Sequence, residues 1–403
     1  MKVNKKTALY VLLIIWILRV YYSPFFTIFA KPIAYIYATY IGLCIILNFF
    51  KNQRISKIFI NGFKTFLIPF YLVTFLSILS ACFYYHTNNH SDITQSIVRL
   101  IDYTAAFLIA YKSYMEFKNK SLNVFLIACW VSYIPVIIKW ILSAGIPGIF
   151  YIFNTYNGIS LEVHNITYCF GIALLYFFIS GKYKDNIKLC VFLIIGIVIG
   201  NKRALYIGIT LALLVYYLLY KHEKKNRIIL YSVVFLMFVS CFVSLYLIKN
   251  GYFELIIHKL GISDSSRLAF WNYFGQYYEL SPLYMGRGIA FSDNLSAQKD
   301  TMIALGVYDG AVPIHNDILR TYIGWGCIPF LYYFYNFFVI VTKKFVKSQK
   351  SIAGWRYLII VSCVFAIYYF DNCIAEITFN ICFFIIYFLL AAPVDGFNTK
   401  LKK

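Results

Sequence analysis

The sequence predicts an all-α polytopic membrane protein with about twelve transmembrane helices. Three observations carry that reading. Apolar side chains make up 61% of the 403 residues and charged ones only 13%, whereas a soluble globular chain is about half apolar and about one quarter charged. Apolar runs of near-spanning length recur along the whole chain, giving a mean hydropathy of +0.71. Basic residues gather in alternate short connections between those runs, as the positive-inside rule requires of a multi-pass protein. The formal charge of +21 would suggest a nucleic-acid partner in a soluble chain. Here the cations orient spans, and no nucleic acid is expected.

Crossing a hydrocarbon core about 30 Å thick takes about 20 apolar residues, fewer where flanking Lys or Arg snorkel. The first run, 8–23, comes after Lys2, Lys5 and Lys6 as a signal peptide would, but no small-residue cleavage site succeeds it. It reads as an uncleaved first span. Further runs lie at 33–50, 66–85, 95–111, 122–142 and 164–180, then at 187–200, 204–220 and 228–248. The last three are 317–341, 357–371 and 374–392, with short runs adjoining one another within 187–220 and 357–392.

Placing both termini in the cytoplasm puts most of the 37 Lys and Arg in short inner segments. These include 51–64, 112–120, 182–188, 221–227 and 343–356, together with the tail residues Lys400, Lys402 and Lys403. The chain 1–403 therefore reads as one integral membrane domain, with membrane lipids as its surroundings. The ten cysteines are scattered without CxxC or metal-ligand spacing, and read as small apolar core residues. Arg99 and Asp102, three apart, can pair on one helix face. Lys139 and Glu376 form a relay or a substrate path, unless Lys139, close to its helix end, snorkels. Among the histidines, His86, His90, His222 and His258 fall in loops or interfacial stretches, while His164 opens the sixth run and is a minor candidate.

One connection, 249–316, is long and falls on the extracytoplasmic side. Loops of that length are usually functional. Asp264–Ser266 can cap a helix running through RLAFWNYFGQYYEL, whose aromatics at 270, 271, 273, 274, 277 and 278 suit the membrane boundary. Arg267 sits in the first turn of that helix, where a cation opposes the macrodipole unless an anion is bound. It either holds such an anion or pairs with Asp264 or Glu254. Arg287 lies between Gly286 and Gly288 in a turn-rich stretch, a weak signal for phosphate cradling. The loop ends in VPIHNDILRTYIGWG, where Pro313 breaks the chain and His315, Asn316 and Asp317 stand at a helix start that favours Asn and Asp caps. A histidine there suits general-base work, or is an interfacial ring satisfied by a backbone carbonyl.

Asn201, Lys202 and Arg203 form a second outward basic site, against the positive-inside bias. The preceding run spans only about 20 Å, so these cations lie near or below the outer headgroup level. With no acidic neighbour in sequence they either bind an anion such as a lipid diphosphate or snorkel toward anionic headgroups. The chain has no DxD, P-loop, HExxH or GxSxG motif, so neither nucleotide nor metal chemistry and no cofactor is expected.

The order of NKRAL between two spans, then SSRLAFW, SPLYMGRG and IHNDILRTYIGWG leading into a span, resembles the O-antigen polymerase and O-antigen ligase family of bacterial envelope glycosyltransferases. The motifs cover roughly 201–330. The resemblance implies a glycosyltransferase C-like helical bundle in the bacterial inner (plasma) membrane, with the active site on the periplasmic side and part of it in 249–316. It implies inverting, metal-independent transfer of a glycan from undecaprenyl diphosphate to an acceptor hydroxyl. By motif position, Arg203 and Arg267 would neutralise charge on the diphosphate, helped by Lys202, and His315 would orient or deprotonate the acceptor. Arg287, Asn316, Asp317 and Arg320 are the expected substrate-binding residues.

Polymerase and ligase differ in acceptor, which is another lipid-linked repeat unit or the lipid A core. The enrichment in Ile, Phe, Tyr and Lys favours the polymerase, for which a chain-length regulator is the expected protein partner. A lipid-linked oligosaccharide flippase is the alternative from another class, though it would concentrate cations in a central cavity and needs no long outer loop. A membrane acyltransferase is less favoured, because no second catalytic pairing for His315 is evident.

Overall fold

The computed structural model describes residues 8, 10–11, 24–50, 56–84, 90–150, 164–221, 226–259, 267–298, 303, 314–348, 352–374 and 376–392. Every regular element among them is helical. In chain order these are α1 (Pro24–Phe50), α2 (Lys57–Gly62), α3 (Ile68–Tyr84), α4 (His90–Phe117), α5 (Ser121–Phe150) and α6 (His164–Ile179). Next come α7 (Ile187–Gly200), α8 (Arg203–Lys221), α9 (Asn226–Lys249), α10 (Tyr252–Lys259), α11 (Arg267–Gly275) and α12 (Phe291–Ser296). The last are α13 (Asp317–Trp325), α14 (Cys327–Tyr335), α15 (Val341–Ser348), α16 (Arg356–Phe370) and α17 (Ile377–Ala391).

Among the described residues, four helical stretches are long and apolar enough to cross a membrane: Lys57–Cys82, Ile93–Ile138, Arg203–Lys221 and Arg227–Lys249. Five more are apolar but shorter, namely Pro32–Leu47, Asn165–Ile179, Ile187–Gly200, Arg356–Phe370 and Ile377–Ala391. Most of the first run, the inner basic residues Lys2, Lys5 and Lys6, and the basic tail lie outside the described residues. The adjoining runs at 187–220 and 357–392 each resolve into two helices. Asn201 turns the first pair at φ 40°, a left-handed value that Asn tolerates. The stretch 371–376 separates the second.

Helices α16 and α17 form the centre. Residues Tyr357–Tyr368 and Ile377–Leu390 are buried without interruption, as expected of helices apolar on every face. Helix α8 packs on α16, and α4 and α6 pack on α17. Because lipid is as apolar as a side chain, close packing rather than expulsion of water holds such helices together. Small residues permit it: a Cβ on Gly208 would stand 2.9 Å from the Cys363 carbonyl oxygen, and one on Gly200 2.2 Å from the Thr167 hydroxyl. Aromatic rings fill the remaining space, with Phe70 stacked on Tyr103 at 4.1 Å and Phe107 edge-on to Phe384 at 5.3 Å. On the outside, α7 and α9 expose Ile187, Phe192, Phe235 and Leu236, which suits a lipid-facing surface.

The structure corrects four sequence expectations. The run 317–341 is not one straight span: it breaks between α13 and α14 at Gly326, where φ is 83°. The helix expected through 267–280 stops at Gly275, where the backbone approaches α9 so closely that a Cβ would lie 3.2 Å from the Ile248 carbonyl oxygen. Four of its six aromatics, Phe270, Trp271, Phe274 and Tyr278, are buried in the protein, and Tyr273 and Tyr277 are half-buried. Arg99 forms its ion pair with Asp293 of α12, and the Asp102 carboxylate accepts from Tyr35 at 2.5 Å.

The break at Gly326 is made by backbone meeting backbone. The Cys327 amide donates to the Tyr284 carbonyl at 2.8 Å, and the Arg287 and Gly288 amides donate to the Ile323 and Gly324 carbonyls. A Cβ on Gly326 would fall 2.3 Å from the Met285 carbonyl carbon. Gly326→Ala should therefore destabilise the protein by about 1–3 kcal/mol from backbone conformation alone, and by more from the clash. Gly181 also has a positive φ, but nothing lies within 4 Å, and Gly181→Ala should cost only the backbone penalty of about 1–2 kcal/mol. Thermal unfolding in detergent checks this pair, and equal midpoints would contradict the assigned packing.

Candidate functional site

One end of the bundle gathers most of the residues singled out in the sequence. Gly200 against Thr167 sets the end of α7 beside the start of α6. The hinge Asn201–Arg203 therefore shares an end with Asp371, the residue after α16, which accepts from Tyr168 of α6. The start of α13 is tied to the same place, because the Asp317 amide donates to the Asp371 carbonyl at 3.2 Å.

His315 and Asp371 form the centre of this end. The His315 Nδ1 donates to the Asp371 Oδ1 at 2.9 Å, with the two side chains 21% and 8% exposed. A carboxylate only accepts, so this contact selects the tautomer that keeps the basic lone pair on Nε2. Asp371 is itself fixed: its Oδ2 accepts from the Tyr168 hydroxyl at 2.7 Å and its Oδ1 from the Asn372 amide at 2.8 Å. His315 has φ 50°, a left-handed conformation uncommon outside glycine, though His adopts it more readily than most residues. The neighbouring helix start holds that strain, since Asn316 caps α13 by accepting from the Leu319 amide at 2.9 Å, the cap its position predicts. A base oriented by a carboxylate is the arrangement used to deprotonate a hydroxyl.

Asp317 lies fully buried beneath this pair. Its Oδ2 accepts from the Cys373 and Ile374 amides at 2.5 and 2.7 Å, which fastens the α16–α17 turn to α13. Its Oδ1 is 3.5 Å from Arg320 Nη1. Arg320 Nε in turn is 4.0 Å from Asp293, which also pairs with Arg99. A second contact, Gln95 to Asn294 at 2.6 Å, holds α12 on α4. The two arginines border a small cavity with Phe70, Ile289, Thr321, Trp325 and Ile374.

Arg287 is engaged with its own loop. Its Nε donates to the Tyr277 carbonyl at 2.5 Å, and its guanidinium lies 5.5 and 5.4 Å from the Tyr277 and Phe291 ring centres. Burial pushes the Tyr277 hydroxyl up to about 12, so the ring faces Arg287 as a neutral phenol. Lys202 is buried and Arg203, the first residue of α8, is exposed. Arg267 opens α11, and its side chain lies outside the described residues. One turn later Trp271 donates from Nε1 to the Ile314 carbonyl at 2.8 Å, which anchors α11 next to His315. Glu376 accepts from Asn165 at 2.8 Å. The side chains of Lys139, His90 and His164, and residues His86, His222, Asp264–Ser266 and Pro313, lie outside the described residues.

The structure thus brings His315, Asn316, Asp317, Arg320, Lys202 and Arg203 to one end of the bundle. It adds three residues that the sequence reading missed as site residues: Asp371, Tyr168 and Asp293. Asp371 is the second pairing for His315 that the sequence did not reveal. Its one signal was a lone Asp-Asn pair between two apolar runs.

Residues 189–334 match the family model of the O-antigen ligase, a match consistent with the O-antigen polymerase and ligase family. Members of that family are glycosyltransferase-like enzymes. The match runs from α7 into α14, so it includes Lys202, Arg203, Arg267, Arg287, His315 and Arg320 and stops before Asp371. No curated protein and no solved structure matches the chain. With its apolar helices, the chain is an integral membrane protein.

Asp371→Asn keeps the shape but offers the imidazole an amide in place of a carboxylate. Glycan transfer should fall by about 10²-fold or more while the protein still inserts and folds. Tyr168→Phe, which removes one of the donors to Asp371, should cost about tenfold or less. Transfer rates of the two purified variants check the order, and an unaffected Asp371→Asn protein would contradict the pairing.

Proposed function

We propose that this chain is a surface-polysaccharide (O-antigen) polymerase of the bacterial inner membrane, multi-pass with both termini cytoplasmic. It transfers the growing glycan from undecaprenyl diphosphate to the non-reducing end of a lipid-linked repeat unit on the extracytoplasmic face. The observation that carries this reading is the His315–Asp371 pair at 2.9 Å, on the same end of the bundle as the Lys202–Arg203 hinge and inside a chain whose 189–334 segment matches the O-antigen ligase family.

Those groups dictate the chemistry. The acceptor hydroxyl gives its proton to His315 Nε2 as its oxygen attacks the anomeric carbon from the face opposite the diphosphate, so the configuration inverts. The bond from the anomeric carbon to the diphosphate oxygen breaks, and its electron pair leaves on the diphosphate. Lys202, Arg203 and Arg267 neutralise that charge in a medium of low dielectric, where such stabilisation is large. Asp371 holds the imidazole and balances the imidazolium that forms. Arg320 and Asp317 position the start of α13, and Asn316 caps it.

The second reading is a ligase, favoured by the family description of the matched segment. It uses the same groups and differs in taking the lipid A core as acceptor.

Reconstitution of the purified protein with a defined undecaprenyl-diphosphate repeat unit should give a ladder of products by repeat number. His315→Ala should give none. Arg203→Ala and Arg267→Ala should each lower the rate by about 10²-fold or more, and Arg→Lys at either position should restore little if the contact is a bidentate fork. A single-addition product with lipid A core and no ladder would replace polymerase by ligase. Equal activity of all the variants would overturn the site.

A further inference from the structure

The far end of α16 carries a second cationic cluster that the transfer reaction does not use. Lys182, in the turn after α6, donates from Nζ to the Tyr176 hydroxyl at 3.0 Å and sits 5.4 Å from the centre of that ring. Tyr176 is buried. Arg356, the first residue of α16, lies within electrostatic reach of Lys182, Tyr176 and Tyr216. Both cations are only partly exposed. The Arg356 Nε is shielded from solvent and has no hydrogen-bond partner. No carboxylate forms an ion pair with either cation among the described residues, and Asp185 acts on Lys182 after burial and Arg356 in order of size.

Helices α6 and α16 pack together, and two partly desolvated cations at that end without an ion-paired carboxylate are costly. The cost is visible at Lys182, where burial and then the Arg356 guanidinium hold the ammonium below its usual range. A buried guanidinium nitrogen with an unmade hydrogen bond costs more again. An anion carrying at least two acceptor oxygens removes both penalties together. Arginine supplies the planar fork that phosphate oxygens fit, and lysine the point charge. The half-exposed Tyr216 adds an amphipathic ring of the kind found at the headgroup level.

The position in the bilayer narrows the class of anion. The 15 residues of α16 span about 22 Å, and Asp371 stands at the other end, so this cluster lies near the opposite membrane face from the His315–Asp371 pair. By the positive-inside pattern, 182–188 and 343–356 are inner segments, and the inner leaflet is where anionic headgroups meet basic pockets between helices. We propose that Lys182 and Arg356 form a binding site for a phosphate-bearing anion, presented as the phosphodiester headgroup of an anionic inner-leaflet phospholipid. The site is separate from the transfer chemistry, and its test does not depend on enzymatic activity.

The full-length protein in a neutral detergent is titrated with phosphatidylglycerol, with phosphatidylcholine and with inorganic phosphate, and its unfolding midpoint is tracked. Phosphatidylglycerol should raise the midpoint, and phosphatidylcholine should not. Lys182→Gln and Arg356→Gln should each require about tenfold or more phosphatidylglycerol for the same shift. Arg356→Lys, which keeps the charge and guards against simple misfolding, should fall between them and the wild type. Lys343→Gln, which removes a cation lying over the Tyr231 ring rather than in the cluster, should titrate as the wild type does. Identical titrations for wild type, Lys182→Gln and Arg356→Gln, or equal stabilisation by phosphatidylcholine, would overturn the site. An equal shift from inorganic phosphate would retain the phosphate chemistry and reject the lipid as its source.

Discussion

The buried carboxylate of Asp317 is the constraint on which the candidate site depends. A carboxylate taken out of water must be surrounded by donors, and the Cys373 and Ile374 amides supply two of them at 2.5 and 2.7 Å. That requirement fastens the turn between the two most buried helices to the first residue of α13. The fastening reaches further in both directions. Two residues earlier it fixes His315 in a left-handed conformation facing Asp371, and one turn later it meets Arg320, which links to Asp293 and through it to Arg99. His315, Asp371 and the segment 291–296 are thereby held by one buried acidic side chain, whose carboxyl burial pushes up to about 8.

The broken helix serves the same end. An unbroken helix over 317–341 would carry its backbone hydrogen bonds internally and offer nothing to the loop that precedes it. At Gly326 the chain turns instead, and the amide of Cys327 is taken by Tyr284 of that loop. Irregular backbone at membrane depth is tolerated where protein surrounds it, and here Ser77 and Ser80 of α3 complete the seal by donating to the Gly324 and Gly286 carbonyls at 2.8 Å each. The described parts of the long loop are therefore built into the bundle. This is why Phe270, Trp271, Phe274 and Tyr278 are interior residues, although their spacing around a helix suggested a surface belt.

Much of this was legible in the sequence wherever the signal is local. Hydropathy gave the helices, the 201–203 hinge stood out because cations rarely sit there, and the His315–Asp317 cluster showed as a helix start. What stayed hidden depends on pairs distant in sequence. Asp371 lies 56 residues from His315, at the end of an apolar run where a single acidic residue looks like a boundary marker. Asp293 lies 194 residues from Arg99, and the nearer Asp102 offered a plausible partner that the packing gives to Tyr35 instead. Gly286 and Gly288 resembled a phosphate cradle because a turn rich in glycine looks the same whether it approaches a ligand or, as here, another stretch of backbone.

The two ends of α16 carry the two cation pairs to which the proposals assign different work, Lys202 and Arg203 at one and Lys182 and Arg356 at the other, with a largely apolar body between them. A structure of the protein in a lipid nanodisc with an undecaprenyl-diphosphate-linked sugar bound would test this division most directly. The geometry predicts the diphosphate oxygens within about 3 Å of the Arg203 guanidinium, with the His315 Nε2 facing the sugar and its Nδ1 still on Asp371. Diphosphate density at the Lys182–Arg356 end, or a His315 ring turned away from Asp371 with the substrate in place, would contradict it.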